Sequence, residues 1–312
     1  MVKFHGNYTY VTEFFLLGFQ NLNAFKIPLF TLLFLIYIVT VGGNLLIIVL
    51  VSTTHLLKSP MYFLLTHLSL CDLLFSSNIT PNMLNVIKHE GSVISSLACF
   101  TQFYIFGCCV TTECYVLTVM SYDRYVAICN PLCYVLLMNF NVCLYLVVCS
   151  WLVGSLLALI SLLMVCILEF CGPNVIDHFY CDFSPLIKLS CSDTFAVEME
   201  TSVFTTIIVI FPFVFVTVTY VNIFITILGI TSNIGRHKAF STCSSHLSVV
   251  CAFYGSLISI YLSPSKGNSL NTNKILSLLY TVVTPLFNPV IYTLRNQEIR
   301  KTFNLFLKHF YS

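Results

Sequence analysis

The sequence predicts an all-α integral membrane protein: a seven-transmembrane helix bundle followed by a short amphipathic cytoplasmic helix. Three observations carry that reading. Of 312 residues, 58% are hydrophobic and 8% are charged, and the mean hydropathy is +0.92. A water-soluble surface needs far more charge than this. The apolar residues also come in uncharged runs, with no Asp, Glu, Lys or Arg from Ile27 to Val51, Thr201 to Gly235 or Ile275 to Leu294. A helix crosses the hydrocarbon core in roughly 20 apolar residues, so each run is long enough. Finally, seven such segments follow one another, and short connections separate all but one pair.

In order, the spans lie near 27–51, 60–87, 97–122, 141–168, 201–230, 239–262 and 273–294. The long connection runs from Glu169 to Glu200. No soluble domain, internal repeat or low-complexity segment is visible. The first run is too long for a signal h-region and is expected to act as its own insertion signal. Pro212 in the fifth span and Pro289 in the seventh each remove a backbone hydrogen bond and are expected to kink their helices. Membrane helices tolerate prolines, so neither alone implies motion. After Tyr292, the basic stretch from Arg295 to Lys308 places Ile299, Phe303, Phe306 and Leu307 at helical spacing. It reads as an amphipathic helix lying on the cytoplasmic leaflet.

Orientation follows the basic residues near the span ends. With the N-terminus outside, Lys58, Arg124, Arg236, Lys238, Arg295, Arg300, Lys301 and Lys308 are cytoplasmic, against Lys3, Lys26, Lys88, Lys188, Lys266 and Lys274 outside. The bias is small, but Asn7-Tyr8-Thr9 is an N-glycosylation acceptor and agrees with it. A second match at Asn78-Ile79-Thr80 is followed by Pro81 at a span end. The expected division is an extracellular N-terminus at 1–26, a seven-span domain at 27–294 and a cytoplasmic tail at 295–312.

Most of the 15 cysteines sit inside apolar spans and read as small buried hydrophobes. Cys99, at the outer end of the third span, and Cys171, Cys181 and Cys191, in the long loop, face an oxidising compartment. Four cysteines allow three pairings, and spacing does not choose among them. No His/Cys spacing suggests a zinc site.

Charge inside a span is costly and marks function. Asp72 and Glu113 lie mid-way in the second and third spans, with Asn44 and Asn288 at compatible depths. Such a cluster holds Na⁺, shares a proton or glues helices together. At the inner end of the third span, Asp123-Arg124-Tyr125 is either a snorkelling interfacial anchor or a switch in which the acid restrains the Arg.

Together these residues resemble the rhodopsin-like G-protein-coupled receptors and, within them, the olfactory receptors. Asp123-Arg124-Tyr125, Asn288-Pro289-Val290-Ile291-Tyr292, Asn44, Asp72 and Trp151 match the larger class. The olfactory blocks are longer: Ser59 to Leu64 (SPMYFL), Met120 to Cys129 (MSYDRYVAIC), Lys238 to Leu247 (KAFSTCSSHL) and Pro285 to Tyr292 (PLFNPVIY). Phe253-Tyr254-Gly255, Glu113 and the opening from Val11 to Phe19 also fit, so the resemblance runs from about residue 7 to 303. Leu57-Lys58, in place of the commoner His-Thr, and Ser121, in place of Ala, are small departures. The short outer loop between the last two spans suits the tetrapod-type, class II group.

The resemblance implies several roles. It pairs Cys99 with Cys181 and Cys171 with Cys191. It puts Arg124 at the cytoplasmic G-protein interface, with Asp123 as its restraint and Tyr220 and Tyr292 as partners on activation. It makes Asp72, Glu113, Asn44 and Asn288 a candidate Na⁺ site, with no other cofactor. It implies a plasma-membrane protein of olfactory sensory cilia, partnered by a volatile odorant, the lipid bilayer and a stimulatory, olfactory-type heterotrimeric G protein that raises cyclic AMP.

The expected ligand pocket joins the outer halves of spans three, five, six and seven: Phe106, Val110, Thr111, Phe204, Thr205, Ile208, Tyr254, Leu257, Ile258, Tyr261, Leu278 and Thr281. Most are apolar, with a few hydroxyls, as in small-molecule pockets generally. No acid or base belongs to this set, which points to a small neutral volatile. The seventh span has no lysine between Ile275 and Leu294, which excludes a Schiff-base retinal. A transporter or channel would line a polar path, often with repeated halves, and neither is visible. No nucleophile–base pair sits in an outer cleft, so no enzyme is expected, and no nucleic-acid partner.

Overall fold

Among the described residues, seven long helices make up most of the chain. They are α1 (Lys26–Thr53), α2 (Pro60–His89), α3 (Ser96–Cys129), α4 (Phe140–Cys166), α5 (Phe195–Gly229), α6 (Asn233–Leu262) and α7 (270–295). This computed structural model describes residues 11–54, 59–171, 173–262, 270–295 and 299–304, without the side chains of Lys238, Ser241, Thr242 and those at 259–262, 270–272 and 293–295. Asn7 lies outside the described residues, as does the Tyr261 side chain.

Local chemistry fixes several helix ends. The Ser95 side chain accepts from the Ala98 N–H at 3.2 Å, and Asn139 accepts from the Val142 N–H at 3.0 Å, capping α3 and α4. Pro60 opens α2, where its missing N–H costs nothing. Glu90 closes it in the left-handed region at φ 59°. Five segments are long and apolar enough to span a bilayer on composition alone: those in α1, α3, α4, α5 and α7. The other two carry more polar residues. In α6 the apolar stretch is Cys243–Ile258, and α2 keeps Asp72, Ser69 and Ser76 buried against its neighbours.

The helix α3 runs through the middle and packs on α2, α4, α5 and α6, while α1 packs on α2 and α7. The lipid-facing surface is apolar, for example Leu32, Leu35 and Ile38 on α1 and Leu152 and Leu156 on α4. Lipid offers no hydrophobic drive between helices, so close packing of small residues holds them. Gly154 on α4 is such a contact: a Cβ there would stand 2.5 Å from Thr112 Oγ1 and 3.0 Å from the Cys108 carbonyl.

Three features depart from the sequence reading. A small sheet covers one end of the bundle, with strand order β2-β1-β3: β1 (Glu13–Leu16) lies antiparallel to β2 (Ser92–Ser95) and parallel to β3 (Val175–Ile176). Next, α5 begins at Phe195 rather than near 201, because Glu198 and Glu200 are accommodated inside its first turns. Finally, the helical irregularities are π turns at Thr206–Ile210, just before Pro212, and at Leu279–Val283. The segment Thr284–Arg295 continues as α-helix through Pro289. In the tail, residues 299–304 are helical, with Ile299 buried and Arg300 and Lys301 exposed. Phe306, Leu307 and Lys308 lie outside the described residues.

Candidate functional site

At the end that carries the sheet, the long loop folds back over α3. Disulfides join Cys99 to Cys181 and Cys171 to Cys191, with Cα–Cα distances of 5.5 and 5.8 Å. The Cys181 N–H also donates to Gln102 Oε1 at 2.9 Å. Gln102 and Asn78 exchange reciprocal bonds of 2.9 Å from each side-chain amide to the other's carbonyl, so the Asn78 nitrogen is committed between α2 and α3.

Beneath this loop lies a cavity of about 120 Å³ between α3, α4 and α5. Its wall includes Phe106, Val110, Thr111, Phe204, Thr205 and Ile208, six of the residues expected from helical spacing. The other expected positions whose side chains are described lie elsewhere. Tyr254 and Leu257 are buried in the core and Ile258 packs against it; the Tyr254 ring lies tilted against Phe213 with centroids 5.4 Å apart. Leu278 also packs on the core, and Thr281 borders a separate small cavity beside Thr40, Ser76 and Thr80. The wall also includes residues that helical spacing did not find: Phe103, Leu157, Ala158, Ser161, Asp182 and Phe183 among them.

Asp182 corrects the expectation that no acid faces this space. It enters because the Cys99–Cys181 bond draws the following residue across the mouth of the cavity. Burial pushes its carboxyl up to about 6, opposed by the neighbouring Phe183 N–H, which favours the charged form. The pairing implied for Cys181 was the available signal, since it puts residue 182 directly above α3. Nearby, Glu200 accepts from Ser161 at 2.7 Å and from Thr201 at 3.3 Å, tying α4 to α5.

Mid-way along the bundle, Asn288 donates to Asp72 Oδ2 at 2.7 Å and stands beside Glu113. Ser76 donates to the Asp72 carbonyl. Asn44 bridges α1 to α7 through the Pro285 carbonyl at 3.1 Å. One oxygen on each of Asn44, Asp72, Glu113 and Asn288 is buried without a hydrogen-bond partner among the described residues. Such orphaned acceptors suit a hard cation or a shared proton. Among the described residues no three His, Cys, Asp or Glu side chains converge as a metal-ligand group.

At the opposite end, the Arg124 guanidinium donates to Asp123 Oδ2, through Nε at 2.9 Å and through a second nitrogen. Tyr134, in the connection between α3 and α4, donates to Asp123 Oδ1 at 2.8 Å, and Asp123 is fully buried. Tyr220 shares a 2.6 Å hydrogen bond with His246 Nδ1 across α5 and α6. Tyr292 is buried, with no hydrogen-bond partner for its hydroxyl among the described residues. Tyr125 is half-buried beside Tyr122, and Pro289 lies against Gly43 of α1. Tyr134 and His246 are members of this network that sequence reasoning missed; only the block containing His246 hinted at it.

A family model described as "Olfactory receptor" matches residues 33–309. Mouse olfactory receptor 5P68 is 46% identical over 296 residues, covering 95% of this chain and 94% of the relative. Human olfactory receptor 10A7 is 45% identical over 294 residues, covering 94% and 93%. Mouse olfactory receptor 5P58 is 47% identical over 298 residues, covering 95% and 91%.

Proposed function

The chain belongs to the olfactory receptor family, a non-enzymatic family of seven-helix membrane receptors, and from that premise we propose what it binds and how it signals. The ligand is a small, largely apolar, neutral volatile held in the cavity between α3, α4 and α5. Phe106, Val110, Phe204 and Ile208 supply the apolar contact, and Thr111 and Thr205 lie among them. The observation that carries this reading is the cavity itself: at about 120 Å³ it is well below the roughly 300–1,000 Å³ of drug-sized sites, so its occupant has few heavy atoms. A ligand of that size has little binding energy to give, and micromolar or weaker affinity is expected.

The sheet-covered end, with residues 1–26, faces outside, and Arg124 and the tail at 295–312 face the cytoplasm. Tyr261 and Asn7 keep their assigned roles of ligand contact and glycan acceptor. Tyr254, Leu257, Ile258, Leu278 and Thr281 would come into contact with a ligand only if it reached beyond this wall towards α6 and α7. Binding favours an arrangement in which α5 to α7 open at the inner end, by no more than the ligand's differential affinity for that arrangement. Asp123 then releases Arg124 towards Tyr220 and Tyr292, with Asn288 and Pro289 in the moving helix. Tyr125 borders the groove that takes a stimulatory, olfactory-type heterotrimeric G protein, and cyclic AMP rises. Asp72, Glu113, Asn288 and Asn44 would hold Na⁺ in the resting arrangement, where it would neutralise the two buried acids. Sensory cilia are the expected location.

The test is a cyclic-AMP assay in cells carrying the receptor and an olfactory G protein, against a panel of neutral and charged volatiles. Neutral volatiles should evoke responses that disappear in Val110→Phe, which fills the cavity, and in Arg124→Ala, with surface expression intact. Responses that survive Val110→Phe would move the ligand out of this cavity, and survival in Arg124→Ala would end the proposed switch.

A further inference from the structure

The acid in the cavity wall narrows the ligand class further. We propose that Asp182 selects volatiles carrying a hydrogen-bond donor, an alcohol or phenol head on a small apolar body, over isosteric ethers, ketones, esters and acids. This rests on the reading of the cavity as the odorant site.

Three observations converge on it. First, Asp182 lines the cavity, and among the described residues no Lys, Arg or His shares that wall with it. The ion pairs among the described residues use other acids: Glu90 with Lys26, Asp123 with Arg124 and Asp177 with Lys274. Second, among the described residues the local fold engages the carboxylate only through the neighbouring Phe183 N–H, which leaves further lone pairs to accept from a ligand. Asp182 occupies the N-cap position of the short helix Phe183–Ile187, yet its side chain makes no capping bond there. Third, the hydroxyl protons of the wall are largely used inside the protein. Thr111 donates to the Gly107 carbonyl at 2.8 Å, and Ser161 and Thr201 both donate to Glu200. Thr205, on α5, is the remaining hydroxyl.

The wall therefore offers a ligand a strong acceptor and few donors. An ionised carboxylate accepts and cannot donate. A ligand hydroxyl makes a charge-assisted bond with it, an ether or ketone oxygen meets it lone pair to lone pair, and a ligand carboxylate is repelled. Its position is fixed in advance by the disulfide at Cys181 and by the Cys181 N–H bond to Gln102, so little ordering is needed on binding. The alkyl or aryl body then lies against Phe103, Phe106 and Phe204.

The experiment uses the full receptor in the cyclic-AMP assay with one medium-chain skeleton presented as alkane, alcohol, methyl ether, methyl ketone and carboxylic acid. The alcohol should be more potent than the ether on the order of 10–100-fold, the worth of a hydrogen bond to a charged group. Asp182→Asn, which offers both a donor and an acceptor, should erase that preference and raise the ketone. Phe204→Ala should weaken every active member alike and leave the ratio unchanged. Equal potency of alcohol and ether, or an unchanged ratio in a surface-expressed Asp182→Asn, would overturn the inference while leaving the cavity as the odorant site. Silence of the surface-expressed wild type to the alcohol, while the ether or ketone acts, would overturn this inference alone; responses to the series that survive Val110→Phe would overturn the cavity reading and this inference with it.

Discussion

Replacing Asp177 by Asn should destabilise this receptor more than replacing Lys274 by Met, although both substitutions delete the same ion pair. The Lys274 side chain on α7 is 3% exposed; its ammonium donates to the Gly18 carbonyl at 2.8 Å and to Asp177 Oδ1 at 2.5 Å. It joins three parts of the chain at the sheet-covered end: α7, the long loop and the N-terminal segment. Asp177 is 33% exposed. Removing the acid strands a buried ammonium on one neutral acceptor. Breaking a buried pair from that side costs roughly 3–5 kcal/mol, and the surviving Gly18 bond brings the expectation to about 3 kcal/mol. Removing the lysine leaves a carboxylate that water already reaches, so the loss is about 1–2 kcal/mol, and the Met chain keeps most of the packing of the lysine stem. The double variant should fall short of the sum of the singles by about 1–2 kcal/mol, because the second change removes a pair already broken. Half-lives for thermal inactivation of the purified receptor in detergent measure this, since membrane-protein unfolding is followed as a rate. Lys274→Met inactivating as fast as Asp177→Asn, or a strictly additive double variant, would refute the argument.

Two further predictions concern the same outer layer and the helix packing beneath it. His178 is buried between Phe179 and Tyr180, and burial, with the Lys274 charge beside it, lowers its pKa to about 3. An unfolded His takes a proton near pH 6.5, so between about 6.5 and 3 the unfolded state binds more protons and stability falls as pH drops. At pH 5 the loss is about 2 kcal/mol. Asp182, with its pKa raised to about 6, contributes in the opposite direction, so the comparison is with His178→Gln, whose inactivation rate should depend less on acid; identical pH profiles would sink the assignment. Gly154→Ala places a methyl against Thr112 Oγ1 and the Cys108 carbonyl, at about 1–3 kcal/mol for overpacking. Surface expression and thermal half-life should both drop, and adding Thr112→Ala should recover part of the loss. No change in either quantity would show that α3 and α4 separate freely at this point.

The parts legible in the sequence are those where one local signal decides the structure. Uncharged runs define α1, α5 and α7, because lipid forbids an unpaired backbone and a helix is the local answer. The more polar α2 and α6 are visible through their ordered motifs more than through hydropathy, since Asp72 and its neighbours are buried against other helices rather than facing lipid. The sheet had no comparable signal. Its strands have four, four and two residues and pair only because segments distant in sequence meet at one end of the bundle. The cavity divides in the same way. Positions one turn apart on α3 and α5 are recoverable from helical periodicity, whereas α4 is apolar on every side and gives no face to read. Asp182 and Phe183 come from a loop whose path depends on a disulfide.

The placement of the irregular turn in α5 connects the two ends of the molecule. The π turn at Thr206–Ile210 contains Ile208 and Val209, both in the cavity wall, and Tyr220 lies further along the same helix. Tyr220 cannot meet Arg124 while each is held elsewhere, Tyr220 by His246 and Arg124 by Asp123, which Tyr134 also holds. Activation as proposed therefore has two restraints to release, one on each partner. A regular α-helix resists rotation about its axis because every hydrogen bond must shift together. A π turn already carries an extra residue in its loop, so its register can change locally, and such turns recur at functional sites. On the proposed reading, a ligand pressing on Ile208 would act at this π turn, where a local change of register would turn the part of α5 beyond it. Such a rotation would bear directly on the Tyr220–His246 bond, whereas α3, regular from Ser96 to Cys129, would keep the Arg124 backbone in place to receive the freed hydroxyl.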